Sequence, residues 1–160
     1  MKPIYRPLLA FAIVLALDVV TKNWAEETLS FQQPVPVIGE VFRFTLGYNT
    51  GVAFGMFSGG GLGLLALTGT FIIGLTIWGL SALRNGSLPL MAGWAMGLIL
   101  GGAVANFIDR FPDMRVTDFL DVGIGMRRWP TFNLADSFLL VGIIFLMMIT
   151  LFHSTLPSSD

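Results

Sequence analysis

Four stretches of this chain stay apolar for about the 20 residues that a helix needs to cross the hydrocarbon of a bilayer. They run from about Ile4 to Trp24, Leu62 to Leu83, Leu88 to Ile108 and Asn133 to Phe152. The second carries no charge. The first has Arg6 and Lys22 near its ends, where long cationic side chains reach back to water. The third accepts Pro89 in its first turn. With 54% hydrophobic and 12% charged residues, the chain has too little polar surface for a soluble globule, in which charged residues are about 25%. The expected fold is an integral membrane protein, mainly α, with four transmembrane helices and a small extracytoplasmic β cradle, in one domain over residues 1–160. The N-terminal run lacks a small-residue cleavage site and carries Asp18 at its far end, so it reads as an anchor and not a signal peptide.

The loops are unequal. Residues 84–87 make a short polar turn. Residues 31–57 contain Val35, Val37, Val41, Phe42, Phe44 and Leu46 with polar residues between them. That period of two, with Pro34 and Pro36 near its start, predicts a small, partly exposed hairpin or cradle. A glycine-rich stretch, Ser58 to Gly63, follows. Four spans place both termini on one side. Lys2, Arg6 and Arg84 argue that this side is cytoplasmic. Lys22, Arg43, Arg110, Arg115, Arg127 and Arg128 count the other way, but several lie beside Asp or Glu and read as structural. The first-helix bias decides the orientation.

Composition narrows the chemistry. There is no cysteine, so there is no disulfide, no thiolate nucleophile and no Cys-ligated metal. The one histidine, His153, excludes a His-rich metal centre. It lies 17 residues beyond Asp136, about 25 Å along a helix, so it reads as an interfacial residue and not as a partner for an acid there. Nine basic against ten acidic residues give no basis for nucleic-acid binding. Acid–base chemistry here falls to carboxylates, with no metal or cofactor expected.

The polar residues gather at one end of the spans: Asp18, Lys22, Asn49, Asn106, Asp109, Arg110, Asp118, Asp121, Asn133 and Asp136. An ionisable group at mid-span costs about 2.5–3.5 kcal/mol on insertion scales. Each residue still has an ordinary reading. Asp18 and Lys22, four apart, would pair and lock the first helix. Asn106, Asp109 and Arg110 would form a helix-end network, with Arg110 otherwise free to meet a substrate carbonyl. Asn133 would cap the last helix with Asp136 three residues on. Asp118 would be a loop carboxylate. Taken together they place two or more acids at one lipid–water boundary. Such a pair shares one proton, so one member activates water while the other polarises a carbonyl. A transporter relaying cations through Asp18, Asp109 and Asp136, or a scaffold packing through Gly93, Gly97 and Gly101, remains a competing reading of the same residues.

Five blocks then carry a resemblance. They are Asp18 to Lys22, Tyr48 to Phe54, Gly101 to Arg110, Val116 to Phe119 and Phe132 to Ser137. In order and spacing this set resembles the lipoprotein signal peptidases, the type II signal peptidases of bacteria, from about residue 8 to 152. Residues departing from the common pattern are Val19, where many members have Gln, and Ala105, where many have Gly.

The resemblance implies an intramembrane aspartic endopeptidase that removes the signal peptide of prolipoproteins before a diacylglyceryl-modified cysteine. It implies Asp118 and Asp136 as the catalytic pair, a choice the residues alone leave open among Asp118, Asp121 and Asp113. Asn49, Gly51, Asn106, Asp109, Arg110, Asn133, Ala135, Asp18 and Lys22 are implied as substrate-binding or supporting residues. The implied partners are prolipoproteins and membrane lipid, acting with a monomer in the bacterial cytoplasmic membrane and a site near the extracytoplasmic face. The β-rich loop over residues 35–46 would then act as a lid over the cut bond.

Overall fold

The computed structural model describes residues 4–51 and 61–154. Four helices cross-pack, and each is long and apolar enough to span a membrane: α1 (Tyr5–Thr28), α2 (Gly61–Arg84), α3 (Ala92–Asp113) and α4 (Leu134–Ser154). Between and after them lie β1 (Val35–Ile38), β2 (Phe42–Asn49), β3 (Val116–Ile124) and β4 (Arg127–Arg128), in one antiparallel sheet of order β1-β2-β3-β4.

Helices stand at the four expected stretches, with shifted ends. α1 continues one turn past Trp24, closing where Leu29 turns extended while its N–H still bonds Ala25 O at 2.9 Å. α3 starts at Ala92, later than the expected Leu88. Pro89 therefore lies before the helix, in a turn where its carbonyl accepts the Ala92 N–H at 2.8 Å. α3 runs on to Asp113 through Pro112, which has no N–H to give to the helix ladder. Met114 then takes a left-handed conformation at φ 61° and caps Arg110 O, ending the helix.

α3 is the central helix. α1 and α4 pack along it, while α2 leans chiefly on it. The Gly93-Gly97-Gly101 row serves this internal packing: a Cβ on Gly101 would stand 2.8 Å from Val14 Cβ of α1, so only glycine lets the two helices meet there. Ala105 is buried, and Val19 is exposed on the outer face of α1. Neither departure from the family pattern disturbs the bundle.

The expected hairpin is present as β1 and β2, but its partner was not expected. The Val116 to Asp121 stretch, read as a loop, is a strand with every residue buried. Tyr48 pairs with Thr117 and Gly47 with Asp118. Residues 35–46 are therefore not a detached flap, because β2 carries the strand that carries Asp118. The sheet closes on the end of α1 through Ala25, Leu46, Phe119 and Leu120, with Trp24 edge-on to Phe44 at 4.9 Å. At the opposite end of the bundle, Ala82, Leu83, Leu88 and Ala92 pack with Leu146 and Ile149 of α4. The part of the expected loop from residue 52 on, and Ser58 to Gly60, lie outside the described residues.

Candidate active site

Asp18 and Lys22 pair as their spacing requires, at 2.6 Å and almost fully buried. The lysine does more than lock one helix. Its Nζ also lies 2.9 Å from Asp109 Oδ2 and donates to Asn106 Oδ1 at 3.0 Å, so it ties α1 to α3. The second oxygen of Asp18 accepts the Ala135 N–H at 3.0 Å and ties α1 to the start of α4. Ala135 is itself wholly buried. Any larger side chain there would force the helices apart.

Asn133 and Asp136 form the reciprocal cap that their spacing predicts. The Asp136 N–H donates to Asn133 Oδ1 at 3.0 Å, and the Asn133 N–H donates to Asp136 Oδ2 at 3.3 Å. The Asn133 side-chain amide faces the sheet and donates to Asp118 Oδ1 at 2.8 Å. It also donates to Asn106 Oδ1 at 3.1 Å. Asn106 Nδ2 in turn donates to Asp136 Oδ1 at 2.7 Å. One asparagine from α3 and the one that caps α4 thus join the two carboxyl groups.

Asp118 is 2% exposed. Burial pushes its carboxyl up to about 7, and the Asp136 charge adds to that. Hydrogen bonds from Asn133 and Asn49 and the charge of Lys22 act against it. Asp121 and Asp113 are placed differently. Asp121 accepts from Arg43 Nη2, Arg128 Nε and Thr45 Oγ1, each at 2.7 Å. Although burial opposes it, those donors hold its carboxyl below the usual range. Asp113 pairs at 2.6 Å with Arg115 at the half-exposed end of α3. The Asp136 charge is among the causes that raise Asp118, whereas Asp121 is held by its own arginines.

Arg110 fulfils its helix-end reading through Nη1, which donates to Asn106 O at 2.7 Å. Its Nη2 donates to Gly51 O, and Gly51 N–H donates to Asn49 Oδ1 at 2.9 Å. Its Nε is buried with no hydrogen-bond partner among the described residues. Asp109 Oδ2 accepts the Thr117 N–H at 3.2 Å, and Thr117 Oγ1 donates to Glu26 Oε1 at 2.7 Å. Thr117 and Glu26 steady the strand beside Asp118. Neither was singled out from the sequence, where Thr117 stood only as a neighbour inside a motif block and Glu26 carried no signal.

A cavity of about 410 Å³ opens beside this network. Asn49, Asn106, Arg110 and Asp136 form its polar wall, and Phe71, Ile72, Phe107, Leu139 and Leu140 from α2, α3 and α4 its apolar wall. Asp118 is not among the lining residues, and the Asn133 and Asn106 amides connect it to Asp136 in the wall. Trp129 to Phe132 close one side. Among the described residues, no cluster of His, Cys, Asp and Glu has metal-site geometry.

A family model described as signal peptidase (SPase) II matches residues 10–152. The lipoprotein signal peptidase of Treponema denticola is 38% identical over 156 residues, covering 86% of this chain and 84% of that protein. That of Bacillus subtilis is 37% identical over 142 residues, covering 89% and 90%. A solved structure described as a bacterial membrane enzyme, determined by the in meso method at 2.3 Å resolution, superposes with a TM-score of 0.83 at 30% identity. It covers 96% of this chain and 92% of the other. A second, at 1.9 Å resolution, gives 0.76 at 31% identity, covering 91% and 92%. With four spanning helices, a small antiparallel sheet and a match across nearly its whole length, the chain belongs to the signal peptidase II family.

Proposed function

We propose that this chain is an aspartic endopeptidase that cuts the signal peptide from diacylglyceryl-modified prolipoproteins, just before the lipidated cysteine, with Asp118 and Asp136 as its catalytic pair. The observation that carries the reading is the pair of asparagines, Asn106 and Asn133, which bridge two buried carboxyl groups beside an apolar-walled cavity. Asp136 accepts hydrogen bonds on both oxygens and stands in the cavity wall, so it serves as the carboxylate. Asp118, pushed up to about 7, holds the shared proton.

Water attacks the scissile carbonyl carbon as Asp136 takes its proton, and Asp118 gives its own proton to the carbonyl oxygen. When the tetrahedral intermediate collapses, the C–N bond breaks. Asp136 passes its proton to the leaving amine, and the diol oxygen returns one to Asp118. The Nε of Arg110, which has no hydrogen-bond partner among the described residues, serves as a donor to the substrate backbone. The aliphatic wall from α2 and α4 accepts the lipid chains of a substrate that is itself confined to the bilayer.

The same reading places both termini in the cytoplasm and the sheet end on the extracytoplasmic side. Lys22, Arg43, Arg115 and Arg128, which weigh against that orientation in a simple count, all stand in ion pairs with Asp or Glu. Their ion pairs give them a structural role, and the reading rests on the first-helix bias.

The test is cleavage of a diacylglyceryl-modified prolipoprotein by purified protein in detergent. Wild type and Asp113→Asn should cut, and Asp118→Asn and Asp136→Asn should not, with all four folded. If either dyad variant keeps wild-type turnover, the pair is not the catalytic machinery. If wild type leaves the diacylglyceryl substrate intact but cuts an unmodified one, the substrate class is wrong.

A further inference from the structure

The end of the sheet farthest from the site is apolar and bare. Ile38 is 68% exposed, Ile124 77% and Met126 98%, and Val41 and Val122 are exposed beside them. They form one surface: Ile38 pairs with Phe42, Phe42 with Val122, and the Gly123 N–H bonds Val41 O at 2.9 Å. Surfaces of this kind on a folded domain mark a contact. This one is also held rigid. Beneath it, buried Asp121 takes Arg43 from one hairpin and Arg128 from the other, and Arg128 Nη1 reaches Glu40 O at 2.7 Å across the two turns. Both tips are therefore presented together.

We propose that this sheet end is an interfacial anchor, with Ile38, Val41, Ile124 and Met126 seated at the boundary of acyl chains and headgroups and Arg127 on lipid phosphate. Three observations select lipid as the occupant. The strand leaving the tip runs directly into the cavity wall, where Trp129 lines the same space as Phe71 of α2 and Leu140 of α4, so the surface is continuous with the lipid-facing bundle. Arg127, exposed at the tip, is in no ion pair among the described residues, whereas Arg43 and Arg128 behind it both are. An apolar tip flanked by a free cation is the arrangement that anionic interfaces bind. Finally, Ile124 lies six residues along the strand from Asp118, about 20 Å at 3.3 Å per residue. That is beyond the residues immediately next to a bond held at the dyad, since an extended chain needs about six residues to cover it.

The chain has no cysteine, so Met126→Cys gives a single site for an environment-sensitive fluorophore in proteoliposomes. Gln33→Cys, exposed at the opposite end of β1, is the reference. The label at 126 should lose most of its emission to phospholipids brominated high on their acyl chains and little to aqueous iodide, with the reverse at 33. Adding Ile124→Asp should abolish the lipid quenching at 126. A blue shift at 126 should be larger in phosphatidylglycerol than in phosphatidylcholine vesicles, and Arg127→Gln should remove that difference. Equal iodide quenching at 126 and 33 would overturn the anchor. So would a label at 126 shielded from both quenchers, which would mean a protein covers the tip.

Discussion

Lys22 Nζ lies 3.0 Å from Asn106 Oδ1, and that contact decides which way round the Asn106 amide faces. An ammonium group can only donate, so the amide oxygen must turn to it and the amide nitrogen must turn to Asp136, 2.7 Å away. Without the cation only the Asn133 Nδ2 donor, at 3.1 Å, still holds that oxygen in place; a flipped amide would offer Asp136 a lone pair and draw the proton onto the wrong carboxyl group. Lys22→Met should therefore lower kcat by about 10²-fold, the scale of a misplaced catalytic group, with KM little changed. Lys22→Arg should recover part of it. Steady-state kinetics on the lipidated substrate reads this directly, and a change confined to KM would contradict it.

The proposed mechanism requires one proton between Asp118 and Asp136. Asp118 holds that proton up to about pH 7, so turnover should fall on the alkaline side with a midpoint near there, as a property of the pair. The same shift has a cost to the fold. The folded protein binds a proton on Asp118 that the unfolded chain releases at about pH 4, so this group lowers stability progressively as pH rises from about 4 to 7. Asp118→Asn removes that charge. The variant should be inactive yet melt higher than wild type at pH 8, on the order of 5 °C, with the gap closing by pH 4. Thermal unfolding in detergent at the two pH values checks it. A gap that widens in acid would reverse the sign.

Local spacing made much of this legible. Spans declare themselves by hydropathy, an acid and a lysine four apart share a helix face, and an asparagine three residues before an acid at a helix start is a cap. What stayed hidden is what only the fold brings together. Val116 to Asp121 shows no alternation because the strand is buried on both faces and carries two acids. Its partner β2 lies some seventy residues earlier in the chain. The ties from Lys22 to Asp109 and Asn106, and from Thr117 to Glu26, cross between elements, and no local pattern announces them. The choice of Asp118 over Asp121 rested on family resemblance. The structure adds a physical reason, since Asp121 is already bound to two arginines.

Asp121 should matter to the sheet and not to the chemistry. Its carboxylate is charged over the whole working range, held there by Thr45, Arg43 and Arg128 against the cost of burial. Asp121→Asn would leave two arginines short of a counter-charge, at about 1–3 kcal/mol. Because the folded value is depressed, the wild-type contribution is present above about pH 4 and fades as pH falls through the lower folded value. The variant should melt below wild type at pH 7 and approach it in strong acid. At a temperature where both are folded, its kcat should match wild type. A loss of kcat with no loss of stability would make Asp121 part of the site.

The contact of α3 with the start of α4 is set by Gly102. A Cβ there would press on the Ala135 carbonyl oxygen and stand 3.1 Å from Leu139 Cβ. Neither can retreat freely, since Ala135 N–H is bonded to Asp18 and the next residue is Asp136. Gly102→Ala should push the first turn of α4 outward and carry Asp136 away from Asn106 and Asp118. The expected loss in kcat is about 10²-fold, the scale of a displacement of about 1 Å. Gly74→Ala, with nothing within 4 Å of its added methyl, should leave turnover at wild-type level. Equal activity of the two variants would show that the α3–α4 approach does not position the site.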